Sequence, residues 1–223
     1  MPELRADAII FDMDGVVIDS GDVYAKHWRS WGAEHGFDYD TQIAHIHPGR
    51  PPVETIRLVA PHLDAVAESI RFNASLETDG GADAIVAMPG AADLLGSLPR
   101  DRWGIATSAF RSMAQQWLAH VGLPEPAALV TVEDIERGKP APDPYLRAAA
   151  LLGFDARRCL VVEDAPAGIA AGKAAGATVL AVRTTHAPGD LAAADHQAAG
   201  LHAIRARWDG RSLAVDWEQP EGV

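Results

Sequence analysis

The chain has 223 residues, of which 48% are hydrophobic, and a length suited to one domain or to a core with a small accessory domain. Its formal net charge of −12 argues against nucleic acid as a partner, because phosphate backbones are bound by basic surfaces. No apolar run is long enough to cross a bilayer, so no membrane association is expected, and the single cysteine excludes an intrachain disulfide and fits the cytoplasm.

Apolar runs bounded by turn residues recur along the chain and predict strands. Between them, apolar residues recur at helical spacing, as at Met113, Trp117 and Val121 or at Tyr145 and Ala149. This alternation predicts an α/β fold, with a Rossmann-like parallel sheet flanked by helices. The predicted strands are Ala6–Asp12, Arg102–Ala106, Ala128–Val132, Cys159–Glu163 and Thr178–Val182, followed by a hairpin of Ile204–Trp208 and Leu213–Trp217.

The segment from Asp19 to Met88 breaks this alternation, because it holds helical patterns without strands between them. We predict a small all-helical cap domain at residues 19–88, inserted after the first strand of a core formed by residues 1–18 and 89–223. A long connection with extra helices and no functional role is the alternative. The apolar stripes of this segment are Tyr24, Trp28 and Trp31, then Val53, Ile56 and Ala60, then Val66 and Ile70.

The first predicted strand ends in two carboxylates, Asp12 and Asp14, and a glycine follows at once. Side chains two residues apart on a strand point the same way, so both acids would face one site. At such a short distance, two like charges shift each other's pKa. A fold tolerates the pair where a cation or a proton compensates the charge, which indicates chemistry.

Polar residues also follow three other predicted strands, at the edge where α/β enzymes bind their ligands. Thr107 and Ser108 follow the second strand, and a hydroxyl with backbone N–H groups there is a ready anion site, although a helix N-cap is the alternative. After the third strand, Lys139 lies in a loop with three prolines, which fix its position. The fourth strand ends in Glu163 and Asp164.

Together these residues bring three or four carboxylates, a lysine and a hydroxyl to one point. Mg²⁺ takes oxygen ligands and usually keeps several waters and a substrate phosphate. Carboxylates alone would indicate a metal store, whereas the added lysine and hydroxyl indicate a metal that shares its site with an anion. The sequence therefore predicts a Mg²⁺ site with an anionic ligand beside it.

Four motifs in order, FDMDGVVIDS, ATSA, GKPAPDPY and VVEDAPAGIAAGKAAG, resemble those of the haloacid dehalogenase-like superfamily. The likeness continues through HPGRPPVETI and MPGA and covers most of the chain. Within the superfamily, the chain is similar to the helical-capped phosphatases of small phosphorylated sugars and polyols. Each motif alone is moderately specific, and four in order with a cap inserted after the first make a strong signal.

The resemblance implies a role for each residue of the predicted site. Asp12 would be the nucleophile that becomes phosphorylated, and Asp14 the general acid that then serves as base. Thr107 would hydrogen-bond the transferring phosphoryl group with the help of the Ser108 backbone. Lys139 would neutralise Asp12 and the phosphate oxygens.

The resemblance also implies a metal site, and the position of one cap residue predicts a substrate contact. Mg²⁺ would be bound by Asp12, by the carbonyl group of Asp14 and by Asp164, with Glu163 binding directly or through water. Arg50 lies in the cap segment and is expected to contact the substrate, with a solvated loop as the alternative. Two positions depart from the family pattern without removing a reacting group, Val16 and Ala109.

The expected activity is Mg²⁺-dependent hydrolysis of a small phosphorylated sugar or polyol through an aspartyl-phosphate, in a cytoplasmic monomer or weak homodimer. The main alternative is a hexose-phosphate mutase of the β-phosphoglucomutase kind, which resembles this pattern almost residue for residue. Dehalogenation is disfavoured because that branch uses no Mg²⁺. A third hypothesis is an inactive phosphate-binding module, but binding alone would not require both Asp12 and Asp14.

Overall fold

The structure is a computed structural model that describes residues 3–47, 50–79 and 81–219. Contacts divide the chain into two compact units, Met1–Asp19 with Val86–Val223, and Ser20–Ile85. The predicted boundaries, after residue 18 and before residue 89, differ from these by one and three residues. The function of the smaller unit as a cap stays a prediction.

The described strands form three sheets. They are β1 (Glu3–Ala6), β2 (Ala8–Phe11), β3 (Ile18–Asp19), β4 (Val86–Ala87), β5 (Trp103–Ala106), β6 (Ala128–Val130), β7 (Cys159–Glu163), β8 (Thr178–Val182), β9 (His196–Ala198), β10 (Ile204–Trp208) and β11 (Leu213–Trp217). The largest sheet is parallel throughout, in the order β6-β5-β2-β7-β8-β9, which confirms the predicted fold class. Antiparallel pairing joins β1-β11-β10 and the short ribbon β3-β4.

The described α-helices are α1 (Gly21–His35), α2 (Pro52–Val59), α3 (Ala65–Asp79), α4 (Ala91–Ser97), α5 (Arg111–His120), α6 (Asp143–Leu152) and α7 (Pro166–Ala174). The first three belong to the unit Ser20–Ile85, and the other four belong to the unit that contains the parallel sheet. Among the described residues, no helix is both long enough and apolar enough to span a membrane.

Strand β2 lies at the centre of the parallel sheet, between β5 and β7. Its apolar run Ile9–Phe11 is fully buried, as expected for a parallel strand covered on both faces. The chain leaves β2 toward β5 and β6 on one side and later returns to β7, β8 and β9 on the other. The boundary between β2 and β7 is therefore the topological switch point, where open α/β sheets bind their ligands.

The predicted first strand, Ala6–Asp12, is wrong in its bounds, because the chain changes sheets at Asp7. Strand β1 pairs with β11, and β2 pairs with β5 and β7. The Asp7 backbone N–H donates to the Arg158 carbonyl oxygen at 2.7 Å, and its carboxylate lies 2.8 Å from the Arg158 guanidinium. These contacts hold Asp7 at the step between the two sheets.

In the smaller unit, the helix predicted from the stripe of Val66 and Ile70 is confirmed as α3, but these two residues do not lie on its buried face. These side chains are 53% and 64% exposed, and α3 instead buries the face that carries Phe72 and Leu76. Phe72 packs against Trp28 of α1 with 4.1 Å between ring centroids. The larger aromatic contact decides which face of α3 turns inward, since burying an aromatic ring removes more apolar surface from water.

Candidate active site

Asp12 and Lys139 form the centre of the site. Asp12 directly follows β2, and Lys139 lies in the loop before α6. The Lys139 Nζ is 2.6 Å from Asp12 Oδ1 and 2.7 Å from Glu163 Oε1. The register aligns Phe11 with Val162, so the next residues of β2 and β7 emerge side by side. One buried ammonium group therefore links carboxylates from two neighbouring strand ends.

The Glu163 carboxylate is held by four protein donors. Its Oε1 accepts from Lys139 Nζ and from the Tyr145 hydroxyl, both at 2.7 Å. Its Oε2 accepts from the backbone N–H groups of Asp164 and Ala165 at 2.8 and 3.0 Å. Burial alone would raise the pKa of Glu163, but the Lys139 charge and these hydrogen bonds lower it below the ordinary value.

Two glycines make room for these acids. A Cβ at Gly168, in the first turns of α7, would lie 1.5 Å from Glu163 Oε1. A Cβ at Gly15 would lie 2.2 Å from Asp164 Oδ2, and Gly15 has a φ of +77°, which disfavours other residues there. Both distances are far below van der Waals contact. The glycines that follow the two acidic motifs thus allow the acids their positions.

Thr107 lies beside Asp14 at the end of β5. It is 1% exposed, and its hydroxyl donates to Asp14 Oδ2 at 3.3 Å while accepting from the Ala109 N–H at 3.0 Å. Ser108, between them, has an exposed side chain. The structure thus brings the predicted phosphate-loop threonine to the second aspartate of the first motif.

Asp12, Glu163 and Asp164 form a cluster of possible metal ligands. All three are buried, and one carboxylate oxygen from each lies within 4.8 Å of the others. Such a set of oxygen donors fits a hard cation such as Mg²⁺. The assignment of individual ligands, including Asp14 through its carbonyl group, stays a prediction.

The protonation equilibria of the site indicate uncompensated negative charge. Burial raises the pKa of Asp12 to about 7, with Lys139 opposing the rise and Glu163 and Asp14 adding to it. Burial, followed by the charges of Glu163 and Asp12, raises the pKa of Asp164 well above its ordinary value. Burial lowers the pKa of Lys139, but the Asp12 and Glu163 carboxylates more than reverse this, so the lysine is charged. A bound divalent cation would compensate the remaining charge.

We therefore expect the metal-free protein to lose stability as the pH rises. A carboxyl group whose pKa rises from 3.8 to about 7 on folding, as for Asp12, binds a proton more tightly in the folded state. Its stabilising contribution is complete below pH 3.8 and is lost toward pH 7. Thermal unfolding with chelator from pH 5 to 7.5 should show a Tm that falls by several degrees, and Mg²⁺ should restore most of it at the higher pH.

Asp164→Asn is the matched variant for this measurement, because it removes a buried charge without changing the size of the side chain. At pH 7.5 without metal it should unfold at a higher temperature than the wild type, and Mg²⁺ should stabilise it less. If Asp164→Asn lowers the Tm without metal and leaves the Mg²⁺-dependent rise in Tm unchanged, the buried carboxylates do not form a site whose negative charge a cation compensates.

Three residues at the site were not predicted from the sequence. The sequence pattern places Tyr145 only in a helical stripe, although this residue ends the motif GKPAPDPY and its hydroxyl reaches Glu163. The Thr184 hydroxyl donates to the Gly15 carbonyl oxygen at 2.6 Å, and Thr185 donates to Asp164 Oδ2. Two adjacent threonines one residue beyond the end of a predicted parallel strand are the signal in the sequence.

Arg50 lies in the smaller unit and is exposed. Its contact with a substrate stays a prediction.

A family model described as haloacid dehalogenase-like hydrolase matches residues 6–176, which is most of the chain. The chain belongs to the haloacid dehalogenase-like hydrolase family. The matched range contains all the residues of the acidic cluster, together with Thr107 and Lys139. The family predicted from the four motifs is therefore confirmed.

Proteins similar to this haloacid dehalogenase-like hydrolase include two phosphatases. Hexitol phosphatase A of Escherichia coli is 36% identical over 208 residues, which cover 90% of this chain and 93% of that protein. Glycerol-1-phosphate phosphohydrolase 2 of Saccharomyces cerevisiae is 34% identical over 192 residues, which cover 82% and 76%. A crystal structure of a HAD family hydrolase from Deinococcus radiodurans, with bound phosphate and sodium, matches with a TM-score of 0.61 and 30% identity, over 86% of this chain and 90% of that chain.

The family and these relatives support a hydrolase of phosphoric monoesters, as the sequence predicts. The matches extend over most of each relative, so they include the helical segment as well as the core. The site geometry and the comparisons thus agree on the class of reaction.

Proposed function

We propose that this hydrolase is a Mg²⁺-dependent phosphatase of a small phosphorylated sugar or polyol, and that it forms an aspartyl-phosphate on Asp12. The observation that carries the proposal is the pairing of the buried Asp12 with Lys139 at 2.6 Å, beside Glu163 and Asp164 at the switch point of the sheet. The names of the relatives support the substrate class, since they act on a hexitol phosphate and on glycerol 1-phosphate.

Asp12 and Asp164 are the side chains that would hold Mg²⁺, together with the Asp14 carbonyl group. When bound, the ion supplies positive charge to the phosphate oxygens and to the attacking carboxylate. An anion that attacks a phosphate monoester needs such compensation, and Lys139 supplies part of it from the protein itself.

In the first step, an Asp12 carboxylate oxygen forms a bond to phosphorus and the bond from phosphorus to the sugar or polyol oxygen breaks. Asp14 gives a proton to the departing alkoxide. In the second step, water attacks phosphorus, Asp14 takes the proton, and inorganic phosphate leaves with the Asp12 carboxylate restored.

Thr107, Ser108 and Arg50 are proposed to bind the substrate. The Thr107 hydroxyl lies 3.3 Å from Asp14 Oδ2, which supports a position next to the proton-transfer group. From there it could exchange this contact for one to the phosphoryl group. Ser108 would contribute its backbone N–H, and Arg50 of the smaller unit would contact the organic part of the substrate.

A cytoplasmic location, and a monomer or weak homodimer, remain expectations. The location is supported by the single cysteine, Cys159, because one cysteine cannot form an intrachain disulfide.

The test is a screen of sugar and polyol phosphates with Mg²⁺ and with chelator. We expect release of inorganic phosphate from polyol or hexose phosphates, dependent on Mg²⁺, with kcat/KM for the preferred substrate about 10⁴ M⁻¹s⁻¹ or higher. Interconversion of hexose phosphate isomers without phosphate release would instead establish the mutase. Binding without turnover of any ester would establish an inactive phosphate-binding module, and release that persists in chelator would refute the metal dependence.

A further inference from the structure

Tyr145 is a buried polar residue that the proposed reaction does not use. It lies in the first turn of α6 and is fully buried, and its hydroxyl donates to Glu163 Oε1 at 2.7 Å. The Lys139 Nζ lies 5.3 Å from the centroid of its ring. Burial and the nearby Glu163 raise the pKa of Tyr145 well above its ordinary value, so the hydroxyl remains a donor.

The hydrogen bonds of Glu163 account for its whole acceptor capacity. An ionised carboxylate offers about four lone-pair sites. Lys139 and Tyr145 occupy those of Oε1, and two backbone N–H groups occupy those of Oε2. A metal bound directly to Glu163 would have to displace one of these donors from a side chain that is 0% exposed. Direct ligation would therefore break an established hydrogen bond.

The same contacts determine the position of Lys139. An ammonium group has three donors. One is directed to Asp12 at 2.6 Å and one to Glu163 at 2.7 Å, so a phosphate oxygen would take the third. Tyr145 donates a hydrogen bond to the same Glu163 oxygen as Lys139, and this bond partly neutralises the negative charge of that oxygen. The attraction of the Glu163 carboxylate for the Lys139 ammonium is therefore weaker, and the ammonium stays beside Asp12.

We propose that Tyr145 and Glu163 are positioning residues that fix the Lys139 ammonium beside Asp12, and that Glu163 serves the lysine and not the metal. This inference rests on the proposed phosphatase function and deepens it. Without the phenol hydroxyl, Lys139 would be the only side chain at Glu163 Oε1 and would move toward it, and the transferring phosphoryl group would lose part of its charge compensation.

The experiment compares Tyr145→Phe, Glu163→Gln and the wild type. For each protein, kcat and KM are measured on an aryl phosphate, and the Mg²⁺ midpoint is measured without substrate from the rise in Tm. Asp164→Asn is the reference for loss of a metal ligand. Ala148→Gly is the stability control, because Ala148 is a fully buried residue of the same helix and has no side-chain hydrogen bond.

We expect Tyr145→Phe to lower kcat roughly tenfold to hundredfold, as for the loss of a hydrogen bond to a charged group. Glu163→Gln should lower kcat further. The Mg²⁺ midpoint should stay near the wild-type value in both variants and rise in Asp164→Asn. Ala148→Gly should lower the Tm but leave kcat per folded molecule unchanged, a pattern that separates positioning from stability.

Two results would overturn the inference while the proposed function stands. One is an active wild type with an equally active Tyr145→Phe variant. The other is a rise in the Mg²⁺ midpoint of Glu163→Gln as large as that of Asp164→Asn, which would make Glu163 a metal ligand. A wild-type protein that hydrolyses no phosphate ester would overturn the proposed function itself, and this inference with it.

Discussion

Asp12→Asn is expected to abolish phosphate release. An amide cannot form the acyl-phosphate, so the variant loses the covalent pathway entirely, and the rate should fall by roughly 10⁶, as it does when another enzyme loses its covalent nucleophile. The measurement is release of inorganic phosphate from the preferred substrate with saturating Mg²⁺.

Thermal unfolding serves as the control for this variant. Asn is nearly isosteric with Asp and removes a buried carboxyl whose pKa is raised to about 7, so the fold should be retained. Asp12→Ala is the companion variant, because it cannot regain a carboxylate by deamidation. Near-normal activity in either variant would refute Asp12 as the nucleophile.

Asp14→Asn is expected to separate the two chemical steps. On a sugar or polyol phosphate, the departing alkoxide needs a proton, and turnover should fall roughly 10²–10⁴-fold, the usual contribution of a general acid or base. An aryl phosphate has a leaving group that departs without a proton. We expect the aryl phosphate to give a burst of one phenol molecule per active site, followed by slow turnover, because the base for the second step is missing.

The burst is read by rapid mixing, with the wild type measured in parallel. The Mg²⁺-dependent rise in Tm should persist in Asp14→Asn, because Asp14 is proposed to contact the metal through its backbone carbonyl group, which the substitution does not change. Slow release of the phenol from the first turnover onward, without a burst, would mean that Asp14 does not act mainly in the second step.

Local patterns predicted the strands of the core well wherever the pattern itself determines the strand. Cys159–Glu163, Thr178–Val182 and both strands of the terminal hairpin have the predicted bounds. In each of these a continuous or alternating apolar run is bounded by turn residues, so strand length and burial follow from the run itself.

Elements that depend on distant partners were not predicted. Glu3–Ala6 is a strand because β11, more than two hundred residues later, pairs with it. His196–Ala198 is too short and polar to be recognised, and it forms at the sheet edge beside β8. The exposed face of α3 follows from the contact of Phe72 with Trp28, which helical spacing alone does not reveal.

The meeting of the acids, Thr107 and Lys139 at one edge of the sheet could be predicted, but neither their connections nor their partners Tyr145, Thr184 and Thr185 could. Because parallel strands present their carboxyl ends at one edge, residues that follow β2, β5 and β7 had to meet there. That Lys139 would bridge Asp12 and Glu163 depends on the path of the proline-rich loop. The Tyr145 hydroxyl reaches Glu163 because α6 packs against β2, β5 and β6, and no local pattern specifies that packing.

Locating the phosphoryl group on the protein tests the covalent mechanism most directly. Asp14→Asn is mixed with Mg²⁺ and an aryl phosphate, quenched in acid within the burst, and analysed by peptide mass spectrometry. We expect one phosphoryl group on the peptide that carries Asp12, and this group should be labile to hydroxylamine. It should be absent from the double variant that carries both Asp12→Asn and Asp14→Asn. Phosphate on another residue, or a burst with no phosphorylated peptide, would contradict the covalent mechanism.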